Sequence, residues 1–487
     1  MIKLVHGGDI YSAKERIEGE IIDFSANINP LGLPQSVKEA LGNAMDAFSH
    51  YPDPICRELV KQLAESEQVR QEHILCGNGA ADLIFRAVWA MRPRSALIAV
   101  PTFSEYEQAL TACGCKVDYF ELKAENGFQL TEELLEHIQP QTDIVFLCNP
   151  NNPTGQLTDQ KLLERILARC ASCGALLVVD ECFRDFLDEP MQNSMNGWVE
   201  SFPNLMILRA FTKHYAMAGL RLGYCLCSNP PLLERMTQCG QPWGVSVPAQ
   251  IAGLAALQDR DYLEKSRELI TQERTYLKES FAQLQIPVIG SQANYIFFYL
   301  PEIPELQQEL EKSGILIRSC DNYRGLERGY YRIAVRTHAE NERLVAALEA
   351  VLQPPVIEPV AAETVTVTVE PAQQLPEAQV RTSEEEIPAE EQPAAEQAEE
   401  KPEGEKAEPV EESAAESTAD KAKEPDCPVP ETAPAEVPEP SAEPEDEREM
   451  KIPQQDSETP PSAEQKRQYR FLRDRQKKYD WEGEEEQ

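Results

Sequence analysis

The stretch NLMILRAFTKHYAMAGLRLGYCLC, Asn204 to Cys227, sets a single lysine, Lys213, between two apolar runs, with Arg221 eight residues on. The flanks read as buried strands. Taken alone, a lysine between them is a surface-loop residue, because lysines seldom lie fully buried. The alternative is an amine held in a pocket, and the neighbouring sequence decides between the two. HILCG leads to the helix-like ADLIFRAVWAM, SALIAVP to TFSEYEQALTAC, and DIVFLCNP to DQKLLERILARC, after which comes the apolar strand ALLVVD. Continuous apolar strands separated by amphipathic helices predict an α/β fold, a mostly parallel sheet covered on both faces. In such sheets ligands bind in the loops beyond the carboxyl ends of the strands.

Charge divides the chain. Residues 354–487 hold 38 of the 84 acidic residues and 14 of the 46 basic ones, a balance of −24 against −14 for residues 1–353. The later part contains EEEIPAEEQPAAEQAEEKPEGEKAEPVEE, rich in Pro, Glu and Ala and poor in aromatics. Such a segment buries too little apolar surface to offset its conformational entropy, so a disordered tail is expected. Only KRQYRFLRDRQKK (Lys466–Lys478) breaks the pattern. It reads first as a solvated terminus and second as a helix for a protein partner. An acidic body argues against a broad nucleic-acid surface. No apolar run reaches membrane-spanning length, and MIKLVHGGDIYS lacks the apolar core of a signal peptide, so a cytoplasmic protein is expected. Thirteen cysteines, several beside strands, fit reduced thiols better than a disulfide framework. The CASC pair Cys170 and Cys173 has redox spacing but no second pair nearby, and it reads as structural. No metal site is expected.

The strand-end loops carry the chemistry. GNGAAD (Gly77–Asp82) follows the first strand and opens a helix. Gly79 lets the backbone approach a ligand, and the free amides of Ala80 and Ala81 suit an anion, although a plain tight turn fits equally well. NPNNPTG (Asn149–Gly155) is a rigid turn, but rigidity does not explain three asparagines, whose amides can donate to a ring oxygen or a carboxylate. DECF leaves Asp180 at the end of an apolar strand, where a carboxylate needs a partner such as a protonated heterocyclic nitrogen. One ligand unites these parts: a pyridine nitrogen for Asp180, a ring oxygen for Asn152, an aldehyde for Lys213, and a phosphate for the helix-start amides, Thr212 and Arg221. That ligand is pyridoxal phosphate.

A strand-end Asp, NPTG and a [ST]K…R segment recur in this order in the fold-type I, aspartate-aminotransferase-like enzymes, which this sequence resembles. The resemblance implies their fold, with a smaller C-terminal α+β domain, and makes Lys213 the catalytic lysine. It implies further that Phe103, in VPTF, stacks on the cofactor ring, and that Tyr51, in HYPD, reaches the phosphate from a second subunit of a homodimer. Two departures are visible. Phe183 stands where many of these enzymes have a tyrosine donating to the ring oxygen, and Ala210 where many have serine or threonine. The first leaves Asn152 as the main donor.

Three features lie outside the cofactor set: HGGDI (His6–Ile10), DFSANINPLG (Asp23–Gly32) and IRSCDNYRGLERGYYRIAVRTHAEN (Ile317–Asn341). The last holds Arg318 and Arg332, fourteen residues apart at the two ends of a predicted hairpin, with Arg336 in addition. Two convergent guanidiniums suit a substrate with a carboxylate and a phosphate, whereas strand-edge arginines facing solvent would need no ligand. Together these segments, over residues 3–353, resemble the threonine-phosphate decarboxylases, which make the aminopropanol-phosphate linker of cobalamin. That likeness implies substrate contacts at His6, Gly7, Asn27, Asn152, Arg318 and Arg332, and decarboxylation of L-threonine O-3-phosphate to (R)-1-aminopropan-2-yl phosphate. Histidinol-phosphate aminotransferase is the first alternative, and a non-catalytic scaffold acting through its acidic tail is the second. The expected organisation is an N-terminal arm with part of the small domain (1–45), a large cofactor domain (46–250), a small domain (251–353) and the tail (354–487).

Overall fold

In a computed structural model of the chain, the structure describes residues 7–352. His6 and the whole acidic tail, including Lys466–Lys478, lie outside the described residues. A seven-stranded sheet runs, from edge to edge, Ile74–Gly77, Gly223–Leu226, Leu205–Ala210, Leu176–Asp180, Ile144–Cys148, Ser95–Val100 and Lys116–Glu121. Gly223–Leu226 is antiparallel to both its neighbours, and the other pairings are parallel. The expected mostly parallel α/β sheet is therefore the observed one.

Strand periodicity sorts the side chains of this sheet. Leu177, Val179 and Ile207 pack on one face with Leu163 and Ile166 from the helix Gln160–Cys173. Val178, Met206 and Leu208 pack on the other with Leu83 and Ile84 from the helix Ala80–Met91, and with Tyr106. The Gln160–Cys173 helix starts where Asp159 accepts from the amides of Lys161 and Leu162 at 2.9 and 3.2 Å, and it stops at Gly174 with φ +74°. Cys170 and Cys173 fall in its last turn, buried, as structural cysteines should.

The edge strand Lys116–Glu121 had no counterpart in the sequence reading. Only Phe120 is buried along it, so it lacks the apolar run that marks a covered strand. A second, four-stranded antiparallel sheet runs Arg318–Ser319, Tyr330–Ala334, Tyr295–Tyr299 and Val288–Gly290. Its core draws Phe281 from the helix Arg260–Gln283, Leu344 from the helix His338–Leu352, and Ile22 and Phe24 from the N-terminal segment. That segment is tied in by backbone: Ile22–Asp23 pairs with Ile315–Leu316, and the amide of Ala334 donates to the carbonyl of Phe24 at 2.8 Å.

Candidate active site

Each parallel strand delivers its last residues to the same end of the sheet. The strand Leu205–Ala210 is completely buried and runs into a single helical turn, Phe211–His214, which carries Lys213. Lys213 Nζ stands 5.8 Å from the centre of the Phe183 ring. Burial, then the guanidiniums of Arg332 and Arg221, push its ammonium down from 10.5 to about 8, against the opposing charge of Asp180. Lys213 is only partly exposed, just beyond the end of a fully buried strand. Thr212, beside it, is buried.

Asp180 ends the adjacent strand and is 5 % exposed. Its Oδ2 accepts from the Tyr106 hydroxyl at 2.6 Å and its Oδ1 from the amide of Cys182 at 3.0 Å. The partner that a buried carboxylate requires is thus partly supplied by the protein itself. Tyr106 was not singled out from the sequence, because a tyrosine in an amphipathic helix reads as core.

The asparagines of the NPNNPTG turn divide their work. Asn149 accepts from the amide of Thr158 at 2.8 Å. Asn151 is used internally: it accepts from Thr102 Oγ1 at 2.8 Å and donates to the carbonyl of Pro101 and to Thr154 Oγ1, both at 2.9 Å. Only Asn152 faces the other candidates. Its Oδ1 accepts from Arg332 Nη1, which leaves its Nδ2 to donate.

Arg332 lies in the middle of its strand, 5 % exposed, and its Nη2 donates to the carbonyl of Ser25 at 2.7 Å. Arg318 is its cross-strand partner, so both side chains leave the same face of the small sheet. Arg318 Nη2 donates to Asn322 Oδ1 at 2.7 Å, and its guanidinium lies 5.3 Å from the Tyr323 ring. A cleft of about 550 Å³ opens here, lined by Phe103, Glu107, Arg318, Tyr323 and Arg324 among others. Lys213 and Asp180 do not line this cleft; Arg332 links the two places, paired with Arg318 and bonded to Asn152. Arg336 is engaged elsewhere, on Glu340 at 2.6 Å and on the carbonyl of Asp23 at 3.1 Å, so the extra arginine considered from the sequence is structural.

Three observations test whether pyridoxal phosphate fits these residues. At Gly79, φ is +82° and a Cβ would stand 2.6 Å from Arg221 Nη2, so the start of the Ala80–Met91 helix lies directly against a guanidinium. Helix-start amides facing an arginine make an anion cradle. Asn27 is 2 % exposed, yet neither polar atom of its side chain has a partner, and the same holds for Arg332 Nε. Finally, the amine at Lys213 is acidified enough to be partly neutral near pH 8. The donor set fits the group. Gly7 belongs to the same neighbourhood, since a Cβ there would meet the Ser25 carbonyl at 2.3 Å. Tyr51 lies apart, 78 % exposed and stacked on Trp243 at 4.5 Å.

The chain is 41% identical over 352 residues to threonine-phosphate decarboxylase of Salmonella typhimurium, covering 71% of this chain and 96% of that protein. It is 30% identical over 336 residues to histidinol-phosphate aminotransferase of Caldicellulosiruptor saccharolyticus, covering 68% and 92%. The crystal structure of L-threonine-O-3-phosphate decarboxylase from Porphyromonas gingivalis superposes with a TM-score of 0.61 at 25% identity, over 68% of this chain and 99% of that one. Residues 19–348 match the family described as aminotransferase class I and II, and to that family the chain belongs.

Proposed function

We propose that this protein is a pyridoxal-phosphate-dependent carboxy-lyase that converts L-threonine O-3-phosphate to (R)-1-aminopropan-2-yl phosphate and carbon dioxide, for the aminopropanol linker of cobalamin. The observation that carries the reading is the cross-strand pair Arg318–Arg332, two cations on one face, one at the cleft and one buried beside Asn152. A substrate with two anionic groups needs such a pair. The greater identity to threonine-phosphate decarboxylase than to histidinol-phosphate aminotransferase points the same way.

In this reading Gly79, Ala80, Ala81, Thr212 and Arg221 hold the cofactor phosphate, Asp180 its ring nitrogen and Asn152 its ring oxygen, with Phe103 against the ring and Lys213 on the aldehyde. Tyr51 completes the phosphate site of a second subunit in a homodimer. Gly7, Asn27, Asn152, Arg318 and Arg332 hold the substrate, joined by His6. Bound pyridoxal phosphate supplies an electron sink for the pair released when a bond to the α-carbon breaks.

The protein supplies the rest. The half-buried Arg318 and the buried Arg332 fix the two anionic ends of the substrate, which sets the bond that breaks, and the enclosing Phe183 and Tyr295 rings limit water. Lys213, with its ammonium near 8, can hold a proton at Nζ and return it to the α-carbon once carbon dioxide has left. The body divides at about residues 45 and 250, and the enzyme works in the cytoplasm.

A decarboxylase restores its own cofactor, whereas an aminotransferase must empty it into a keto acid every cycle. Purified protein should therefore release carbon dioxide from threonine phosphate over many turnovers without 2-oxoglutarate. Acceptor-dependent turnover of histidinol phosphate, with no carbon dioxide from threonine phosphate, would move the protein to the aminotransferase side.

A further inference from the structure

Tyr106 is fully buried, and no motif of the cofactor set contains it. It sits in the first turn of the helix Glu105–Ala112, three residues after Phe103. Its ring stacks on Phe146 at 5.0 Å and 12°, and it meets Phe103 edge-on at 5.6 Å and 75°. Phe146 belongs to the strand Ile144–Cys148, which pairs with the strand ending in Asp180. Two neighbours therefore aim the phenol at Asp180 Oδ2, 2.6 Å away.

Asp180 can be accounted for atom by atom. An ionised carboxylate accepts only, with about four lone-pair directions. One on Oδ2 is filled by Tyr106 and one on Oδ1 by the amide of Cys182. These two donors hold the carboxylate plane against rotation; the Cys182 thiol also donates to Asp180, and the remaining lone-pair direction is open to a ligand. Burial, then the Asp180 charge, push the Tyr106 phenol far up, so it stays a donor.

We propose that Tyr106 is a positioning residue of the cofactor site, whose hydroxyl locks the Asp180 carboxylate in the orientation that receives the protonated ring nitrogen of pyridoxal phosphate. The proposal rests on the reading that Asp180 meets that nitrogen. The bland alternative is a core tyrosine that borrows Asp180 only to satisfy its own hydroxyl.

The two are separated by titrating the apoprotein with pyridoxal phosphate and following tryptophan fluorescence. Tyr106→Phe removes one oxygen and keeps the stack, and the dissociation constant should rise about tenfold. In a background of Asp180→Asn, itself much weaker than wild type, adding Y106F should change the constant no further. A Y106F protein that melts lower but binds with wild-type affinity, beside a weakened D180N, overturns the proposal and leaves the cofactor reading intact. An unweakened D180N overturns the cofactor reading first, and the proposal with it. Should Y106F not fold, Phe146→Leu loosens the stack that aims the phenol without touching Asp180. It should raise the constant about threefold, and wild-type affinity there counts as refutation.

Discussion

Lys213 illustrates how much of the chemistry is set one residue at a time. A folded-state value near 8 against the ordinary 10.5 means that the fold disfavours the charged amine, so between those values the unfolded chain binds more protons than the native one. This group therefore lowers the stability of the apoprotein below about pH 8, and stability rises with pH from about 8 to 10.5. The same shift should make Lys213 the most reactive amine in mildly alkaline solution. Acylation followed by peptide mapping should show its labelling rate rising with a midpoint near pH 8, well ahead of the surface lysines, the reference value for a free lysine side chain being about 10.4. A profile indistinguishable from those lysines would remove it from the site. The residues that could be named beforehand share a property: Lys213, Asp180, Asn152 and Gly79 stand in short contiguous motifs at strand ends, where polar or glycine residues interrupt an apolar pattern. Tyr106 breaks no pattern, since its ring belongs to the core and only its hydroxyl reaches the site. Nor could sequence tell Asn151 from Asn152, because a backbone turn decides which amide is spent on Thr102 and Pro101.

At the scale of elements, the pair of strands Arg318–Ser319 and Tyr330–Ala334 and the loop between them govern the substrate side. Their register was implicit in fourteen residues of spacing, but the loop's anchoring was not, because its partners lie some two hundred residues away. Arg324 reaches Glu107, with Nε at 3.3 Å, and its guanidinium lies 4.1 Å from the Tyr119 ring, while Tyr119 donates to Glu107 at 2.8 Å. The guanidinium holds the Glu107 carboxyl below its ordinary range. This clasp joins the loop to the helix Glu105–Ala112 and to the edge strand, yet it is half-exposed. A surface ion pair contributes about 0–1 kcal/mol and an exposed cation–π contact about 0.5–1. Arg324→Met should accordingly raise KM only about threefold to tenfold, with kcat little changed. Removing the cations beneath should cost far more. Arg318→Ala and Arg332→Ala should each lower kcat/KM by about a hundredfold, the loss of one charge-assisted contact in a closed site. R332A should be the worse of the two, because Asn152 and the Ser25 carbonyl also lose a buried donor. Equal, small effects for all three variants would mean that this face does not hold substrate.

Over the whole molecule, every residue proposed for the site precedes Leu352, and a chain ending there should retain turnover and assembly, as gel filtration and carbon dioxide release would show. The assembly itself has a sharper test. Tyr51, Ile55 and Trp243 are 78, 57 and 47 % exposed, an amount of large apolar surface that a protein seldom leaves bare in one place. Ile55 and Trp243 line one hollow, and Tyr51 stacks on Trp243. If a second copy covers this face and takes Tyr51 into its own phosphate site, Lys213→Ala and Tyr51→Ala damage different sites of one dimer. Each variant alone should be nearly inactive. In a hybrid, the subunit with Y51A keeps its own Lys213 and receives Tyr51 from the K213A subunit, so one of the two sites is whole. With free exchange of equal amounts, half of the dimers are hybrids carrying one good site of two, and activity should return to about a quarter of wild type. A mixture no more active than the sum of its parents would place Tyr51 outside the neighbouring site, whatever the oligomeric state.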